Sequence, residues 1–241
     1  MPSATSAIGG RIEWPRGVLV TRLLRLSASA TVKERRLREL LAGGGEDSPD
    51  LRGAVEDELI SGSLGLADVA PADMPAAAAA LRRALQAVPA DAPFSVAGLG
   101  AWHAALIPEA GGIRLKPRVR EGAPPTAPPE FIAERLEALE HWLGAPSATE
   151  LGASQQAALA LARLVEISPF DEANGRVSRL AASHLMRRAG ARPPLLGPTD
   201  DQRLRECLSA AFQLATEPLA ALLQEASERC LDVMIRQLAA R

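Results

Sequence analysis

No basic excess marks this chain: Lys and Arg total 27 against 29 Asp and Glu, for a net charge of −2. That balance disfavours non-specific, electrostatic binding to nucleic acid, and no nucleic-acid partner is expected. Long apolar runs are also missing. Arg82 and Arg83 close the alanine run at 76–80, and nothing approaches the roughly 18 apolar residues of a membrane-spanning helix. The opening residues lead into Arg11 and Glu13 without the apolar core of a signal peptide. Cysteine is scarce. Cys207 and Cys230 stand far apart, lack metal-ligand spacing, and read as buried thiols of a reducing compartment. No repeat of solenoid period is present. These absences predict a cytoplasmic protein with no membrane partner.

What is present is a folding composition, 47% apolar and 23% charged over 241 residues. It is enough for one large domain with a helical extension. Apolar residues at helical spacing predict helices over Val18–Leu41, with a break near Ser27–Ala30, and over Asp47–Leu66, capped by Asp47 or Ser48 and fraying between Gly62 and Gly65. Further helices are predicted over Asp73–Val88, Ala97–Leu106, Pro129–Trp142, Ser147 or Ser154 to Ile167, Gly175–Arg188, Asp200–Ala215 and Glu217–Ala240. Gly43–Gly45 and Gly190 read as stops. Ile113, Leu115 and Val119 alternate between a glycine turn and the Pro124–Pro129 stretch, which predicts one extended hairpin. The fold class is all-α with a single small β element.

The chemistry concentrates in Ser168-Pro169-Phe170-Asp171-Glu172-Ala173-Asn174-Gly175-Arg176-Val177-Ser178-Arg179. Pro169 disfavours helix at Ser168, so the run crosses from one helix end into the start of the next. A helix N-terminus offers unpaired N–H groups and partial positive charge, a natural anion site. Arg176 and Arg179, three apart, can both reach phosphate oxygens. Glu172 can share Mg²⁺ with those phosphates, Asn174 offers a neutral amide, and Gly175 lets the backbone approach a ligand. Acidic and basic residues at a helix start are also ordinary capping chemistry, so the string as a whole carries the weight. Downstream, Val177, Leu180, Ala181, His184 and Leu185 follow a buried stripe, which makes His184 a packed histidine. Arg187 and Arg188 complement the dipole at the other end.

The string resembles the signature of the Fic (Fido) family, H-x-F-x-[DE]-[GA]-N-[GK]-R-x-x-R, at every specified position except the first, where Ser168 stands for histidine. The resemblance extends over Val88–Leu238. Trp102-His103-Ala104-Ala105-Leu106 is similar to the family's early helix. Gly111-Gly112-Ile113-Arg114 resembles its G-x-[YF]-R element, and Pro129–Leu143 resembles the helix after its flap. The resemblance implies a Fic-type helical bundle at 88–241 with a small β-hairpin flap at about 111–122. Residues 1–87 are then a helical extension. Family members transfer AMP from ATP to protein hydroxyls. It follows from the resemblance that Glu172 holds Mg²⁺, that Asn174, Gly175, Arg176 and Arg179 bind the phosphates, that Phe170 anchors the core, and that a protein target pairs with the flap by strand addition.

Ser168 occupies the general-base position, and a serine hydroxyl cannot serve as a base near neutral pH without its own partner. Asp171 is a weak substitute. Many family members carry an inhibitory helix of pattern [ST]-x-x-x-E-[GN]. The nearest stretch here, Glu58–Leu66, aligned on Ser61, has Gly65 in place of the glutamate. The leading expectation is a degenerate protein adenylyltransferase that keeps an ATP·Mg site. An atypical active transferase of AMP or another phosphate-containing group stays open, as does a nucleotide-independent interaction module. Oligomeric state is left open too.

Overall fold

The computed structural model describes residues 16–42, 48–67, 69–109, 112–118 and 126–240, with side chains from residue 28 onward. The helices are α1 (Arg16–Leu41), α2 (Pro49–Gly65), α3 (Met74–Ala87), α4 (Val96–Leu106), α5 (Ile132–Gly144), the single turn α6 (Pro146–Thr149), α7 (Ala153–Ile167), α8 (Asn174–Arg188), α9 (Asp201–Ala211) and α10 (Glu217–Ala239). No strand occurs among the described residues, so the fold is all-α. None of the described helices is long and apolar enough to cross a membrane.

The centre is α7 packed on α8, with α10 behind α7 and α4 and α5 flanking them. Small residues allow the close approach: Ala157, Ala158, Ala160, Ala181 and Ala182 are buried between larger Leu161, Leu164, Val177 and Leu185. Each fully buried leucine in such a core contributes about 1.5–3 kcal/mol. A second cluster, Leu37, Leu51, Leu195, Cys230, Leu231 and Met234, lies where α1 and α2 cover α10. Both thiols are free and buried, and burial pushes Cys230 up to about 12.

Three local expectations are corrected. The break at Ser27–Ala30 is absent; α1 runs through it unbroken. Below that point it is docked along α10 by Lys33 on Asp232 at 2.8 Å and Ala30 packed on the second cluster, and packing of this kind overrides weak local propensity. The Gly62–Gly65 end of α2 is not frayed. A Cβ on Gly62 would meet the Leu196 carbonyl oxygen at 2.1 Å, and one on Gly65 would meet Pro198 Cγ at 2.4 Å. These glycines bring α2 flush against the 195–198 loop. Ser48 does cap α2, accepting from the Leu51 N–H, whereas Gly43–Gly45 lie outside the described residues.

The hairpin is the third correction. Residues 112–118 form no strand, and 110, 111 and 119–125, Val119 included, lie outside the described residues. Alternation at Ile113 and Leu115 suggested one buried face, yet Ile113 is 36% and Leu115 88% exposed. The main-chain polar groups go elsewhere: the Arg114 N–H donates to the Pro169 carbonyl at 2.9 Å instead of to a partner strand.

Candidate functional site

Helix α7 ends because Ser168 turns left-handed (φ 45°, ψ 64°) while its N–H still donates to the Leu164 carbonyl at 2.9 Å. The Ser168 side chain is buried, and its Oγ donates to the Val165 carbonyl at 2.7 Å. Its hydroxyl therefore faces back along α7. The Ser168 carbonyl accepts from Arg114 Nε at 2.7 Å. Arg114, 1% exposed, also donates to the carbonyls of Ile167 (3.2 Å), Lys116 (2.7 Å) and Ala127 and to Thr126 Oγ1 (3.3 Å). One guanidinium thus satisfies carbonyls from three separate segments that would otherwise be orphaned in the interior.

The next turn closes on itself. The Phe170 N–H donates to Asn174 Oδ1 at 2.9 Å, and Asn174 Nδ2 donates back to the Phe170 carbonyl at 2.6 Å. Asn174 is buried, so its amide is a clasp for the turn and not an open ligand group. Arg118 Nη1 covers the same turn from outside, donating to the carbonyls of Phe170 (3.2 Å) and Asp171 (2.6 Å). The Phe170 ring is buried and stacks on His103, with centroids 3.9 Å apart and planes 3° from parallel.

Beyond Asn174 the arrangement opens outward. Ala173, left-handed at φ 59°, caps α8, and the first intrahelical bond runs from the Val177 N–H to the Ala173 carbonyl at 3.0 Å. The N–H groups of Asn174, Gly175 and Arg176 are left at the helix mouth, in the left-then-right-handed backbone that forms an anion-binding concavity. Asp171 and Glu172 are exposed on the turn, and Arg176 is half-buried beside them. Burial pulls the Arg176 guanidinium below its usual value, and the Glu172 carboxylate opposes that. Neither side chain has a hydrogen bond or ion pair among the described residues. No group of three or more His, Cys, Asp or Glu that could hold a metal occurs among the described residues. Glu172 alone suits a Mg²⁺ ion whose other ligands are phosphates and water, but not one held by protein alone.

Arg179 sits one turn deeper. A Cβ on Gly175 would lie 3.2 Å from Arg179 Nη1, so the glycine makes room for this guanidinium under the helix mouth. Its other end is held by α2: Nη2 donates to the Ser63 carbonyl at 3.0 Å and to Ser63 Oγ at 3.3 Å. Burial, with Arg176 adding like charge, pushes Arg179 down to about 10, against a smaller pull from Asp201. The end of α2 reaches the arginine with a neutral serine; Glu58 is exposed and Gly65 lies on Pro198.

Of the residues singled out in the sequence, Glu172, Gly175 and Arg176 come together at the helix mouth, Asn174 and Ser168 turn inward, and Arg179 lies between. His184 is buried, its Nε2 2.8 Å from the Ala92 carbonyl and its ring edge-on to Trp102. His141 is exposed at the end of α5. Sequence reasoning missed His103, Arg118 and Ser63 as neighbours of the turn, and the only signal for His103 was its place in the Trp102–Leu106 element. A hollow of about 630 Å³ between α5 and α7 is lined mainly by apolar atoms, and its Arg135 and Arg163 are already paired with Glu166, so it offers no phosphate site.

Residues 93–186 match the model of the Fic/DOC family. The protein adenylyltransferase Fic of Drosophila grimshawi is 30% identical over 128 residues, 53% of this chain and 26% of that relative. The Drosophila melanogaster protein is 30% identical over 107 residues, 44% and 22% of the two chains. The chain thus spans about a quarter of these relatives' length. Among solved structures, a Fic-domain signalling protein from Bacteroides thetaiotaomicron aligns with a TM-score of 0.73 at 16% identity, covering 88% of this chain and 98% of that one. Fic-1 from C. elegans aligns at 0.67 and 18% identity, covering 95% and 79%. At those identities the likeness is one of fold. With the sequence match, it shows that residues 93–186 resemble the Fic/DOC family in sequence and that the chain has the fold of Fic-domain proteins.

Proposed function

We propose that this chain binds a nucleoside triphosphate, ATP in the first instance, with Mg²⁺ at the mouth of α8, and that it is defective in transferring AMP to protein hydroxyls. The observation that carries the reading is the outward-facing set at one helix end: three N–H groups, the Arg176 guanidinium and the exposed Glu172 carboxylate. Such a set is complementary to a phosphate chain and its cation. Glu172 would hold the Mg²⁺, which would neutralise phosphate charge. Arg176 and the N–H groups would bind the phosphates directly, and Arg179 would add positive charge from beneath Gly175.

The defect follows from Ser168. Transfer of AMP forms a bond between a target hydroxyl oxygen and the α-phosphorus, breaks the bond to the bridging oxygen and releases pyrophosphate. The hydroxyl proton must pass to a base. Ser168 occupies the base position of the Fic signature, and its own proton is donated to Val165. A positioned base contributes about 10²–10⁴-fold, and the remaining catalysis rests on positioning and charge.

A protein partner fits the exposed Ile113–Leu115 edge, which Arg114 ties to Ser168. The relatives named protein adenylyltransferase, and a fold relative, IbpAFic2, solved tethered to Cdc42 (TM-score 0.52, 17% identity), agree with a protein target. The test is incubation with Mg²⁺ and ATP labelled on the α-phosphate. The expected result is little self-labelling by the wild-type chain and clear labelling of Ser168→His. Wild-type labelling equal to that of Ser168→His contradicts the proposed defect.

A further inference from the structure

Five serines are buried among the described residues, and three of them donate to a main-chain carbonyl. Ser168 donates to Val165 at 2.7 Å, Ser178 to Asn174 at 2.8 Å and Ser227 to Arg192 at 2.8 Å. The other two do not. Ser183, on α8 and 4% exposed, has an Oγ with no hydrogen-bond partner among the described residues. Ser63, near the end of α2, accepts from Arg179 through Nε at 3.4 Å and Nη2 at 3.3 Å. Its own hydroxyl proton has no acceptor among those residues. Native structures rarely leave buried hydroxyls in this state.

Both serines line one hollow. Ser183 stands four residues after Arg179 on α8, and Ser63 four after Leu59 on α2, so each pair shares a helix face. These two faces and the loop after α8, through Pro194 and Leu196, enclose about 20 Å³. One water needs about 10–15 Å³ of such room, with two to four polar partners. The room is there, and apart from Arg179 and the two serines the lining residues are apolar.

We propose that this hollow is the site of one buried water molecule, which joins Ser183 on α8 to Ser63 on α2. The Ser63 oxygen is already turned to Arg179, so its proton goes to the water. The water then either accepts from Ser183 or donates to it, and both arrangements satisfy that hydroxyl. Arg179 lies beneath Gly175 at the helix mouth. The water therefore ties the helical extension to the candidate site by fixing the Ser63 hydroxyl toward the guanidinium. The inference stands apart from the nucleotide reading, since it needs no ligand at the mouth.

A crystal structure of the full chain, at a resolution that shows ordered water, is the direct test. A peak within hydrogen-bond distance of both Ser63 Oγ and Ser183 Oγ is expected. No peak, a peak that reaches only one of the two oxygens, or one too heavy for oxygen overturns the proposal. Two substitutions of equal shape give an independent reading. Ser183→Thr keeps the hydroxyl, and Ser183→Val puts a methyl group in its place. The Val variant is expected to melt about 2–4 °C below the Thr variant, the worth of one ordinary hydrogen bond in a chain of this size. Removing a hydroxyl that bonds nothing is instead a gain, so a Val variant that melts at or above the Thr variant overturns the water. With Ser63→Ala added to both, the gap is expected to shrink, because the water has lost its second hydroxyl. An unchanged gap overturns the bridge to α2.

Discussion

The two sides of the Ser168–Arg179 turn use similar residues for opposite ends. On the inner side, Ser168, Asn174 and the Arg114 that meets Ser168 have their polar atoms matched to main-chain groups: serine to Val165, amide to Phe170, guanidinium to carbonyls of three segments. On the outer side, the side chains of Glu172 and Arg176 and the first N–H groups of α8 have no such matches among the described residues. Saturated polar groups make a rigid scaffold, whereas unsaturated ones at its rim make a binding site. In the proposed reading, the scaffold holds the rim still for its ligand.

That contrast is most sharply tested at Arg114. Arg114→Ala leaves the buried carbonyls of Ile167, Ser168 and Ala127 without a donor. The expected loss is about 3–5 kcal/mol in urea unfolding, from about 1–3 kcal/mol per buried unsatisfied group with partial relaxation. A loss under about 1 kcal/mol would place Arg114 on the surface side of the comparison. Asn174→Ala, which opens one clasp, is expected to cost about 1–3 kcal/mol by the same measurement. Arg176→Ala is the mirror experiment. Stability should stay within about 0.5 kcal/mol of wild type, while ATP·Mg²⁺ affinity falls about tenfold or more, because a charge-assisted bond is worth about 1.5–3 kcal/mol.

The smallest expected effect is one of pH. Burial lowers the pKa of His184 from 6.5, and Arg187 and Arg188 push the same way, against the bond to the Ala92 carbonyl. The unfolded chain therefore binds more protons than the folded one below the ordinary imidazole value. The stability held above pH 6.5 is lost as the pH falls through the depressed value. Urea midpoints measured at pH 7.5 and 5.5 should show the decline, and His184→Gln should flatten part of it. A midpoint that rises on acidification would contradict the sign.

Much of this was legible from residue order, and the reasons for the rest are physical. The helices announced themselves because Leu and Ala recur at helical spacing on one face, as in α8, where Val177, Leu180, Ala181, His184 and Leu185 are all buried. The turn was legible because Pro169 and Gly175 punctuate it. What could not be read was the partner of each polar group. Alternation at Ile113 and Leu115 is the same whether a strand pairs there or Arg114 takes the bonds. The amide of Asn174 looks equally fit for a phosphate or for Phe170. The Gly62–Gly65 pair reads as fraying until Leu196 and Pro198 are seen against it, and Ser63 meets Arg179 across 116 residues. His103 was invisible as a neighbour of the turn for the same reason: the stack joins a residue of α4 to Phe170 in the turn between α7 and α8.

The central claim is that the outer rim binds a nucleotide through Mg²⁺ and phosphate. Calorimetric titration of the wild-type chain with ATP, with and without Mg²⁺, tests it most directly. The account predicts saturable binding that depends on Mg²⁺. An absence of heat under both conditions, with the protein folded, would contradict it and leave the turn a scaffold with an unused rim.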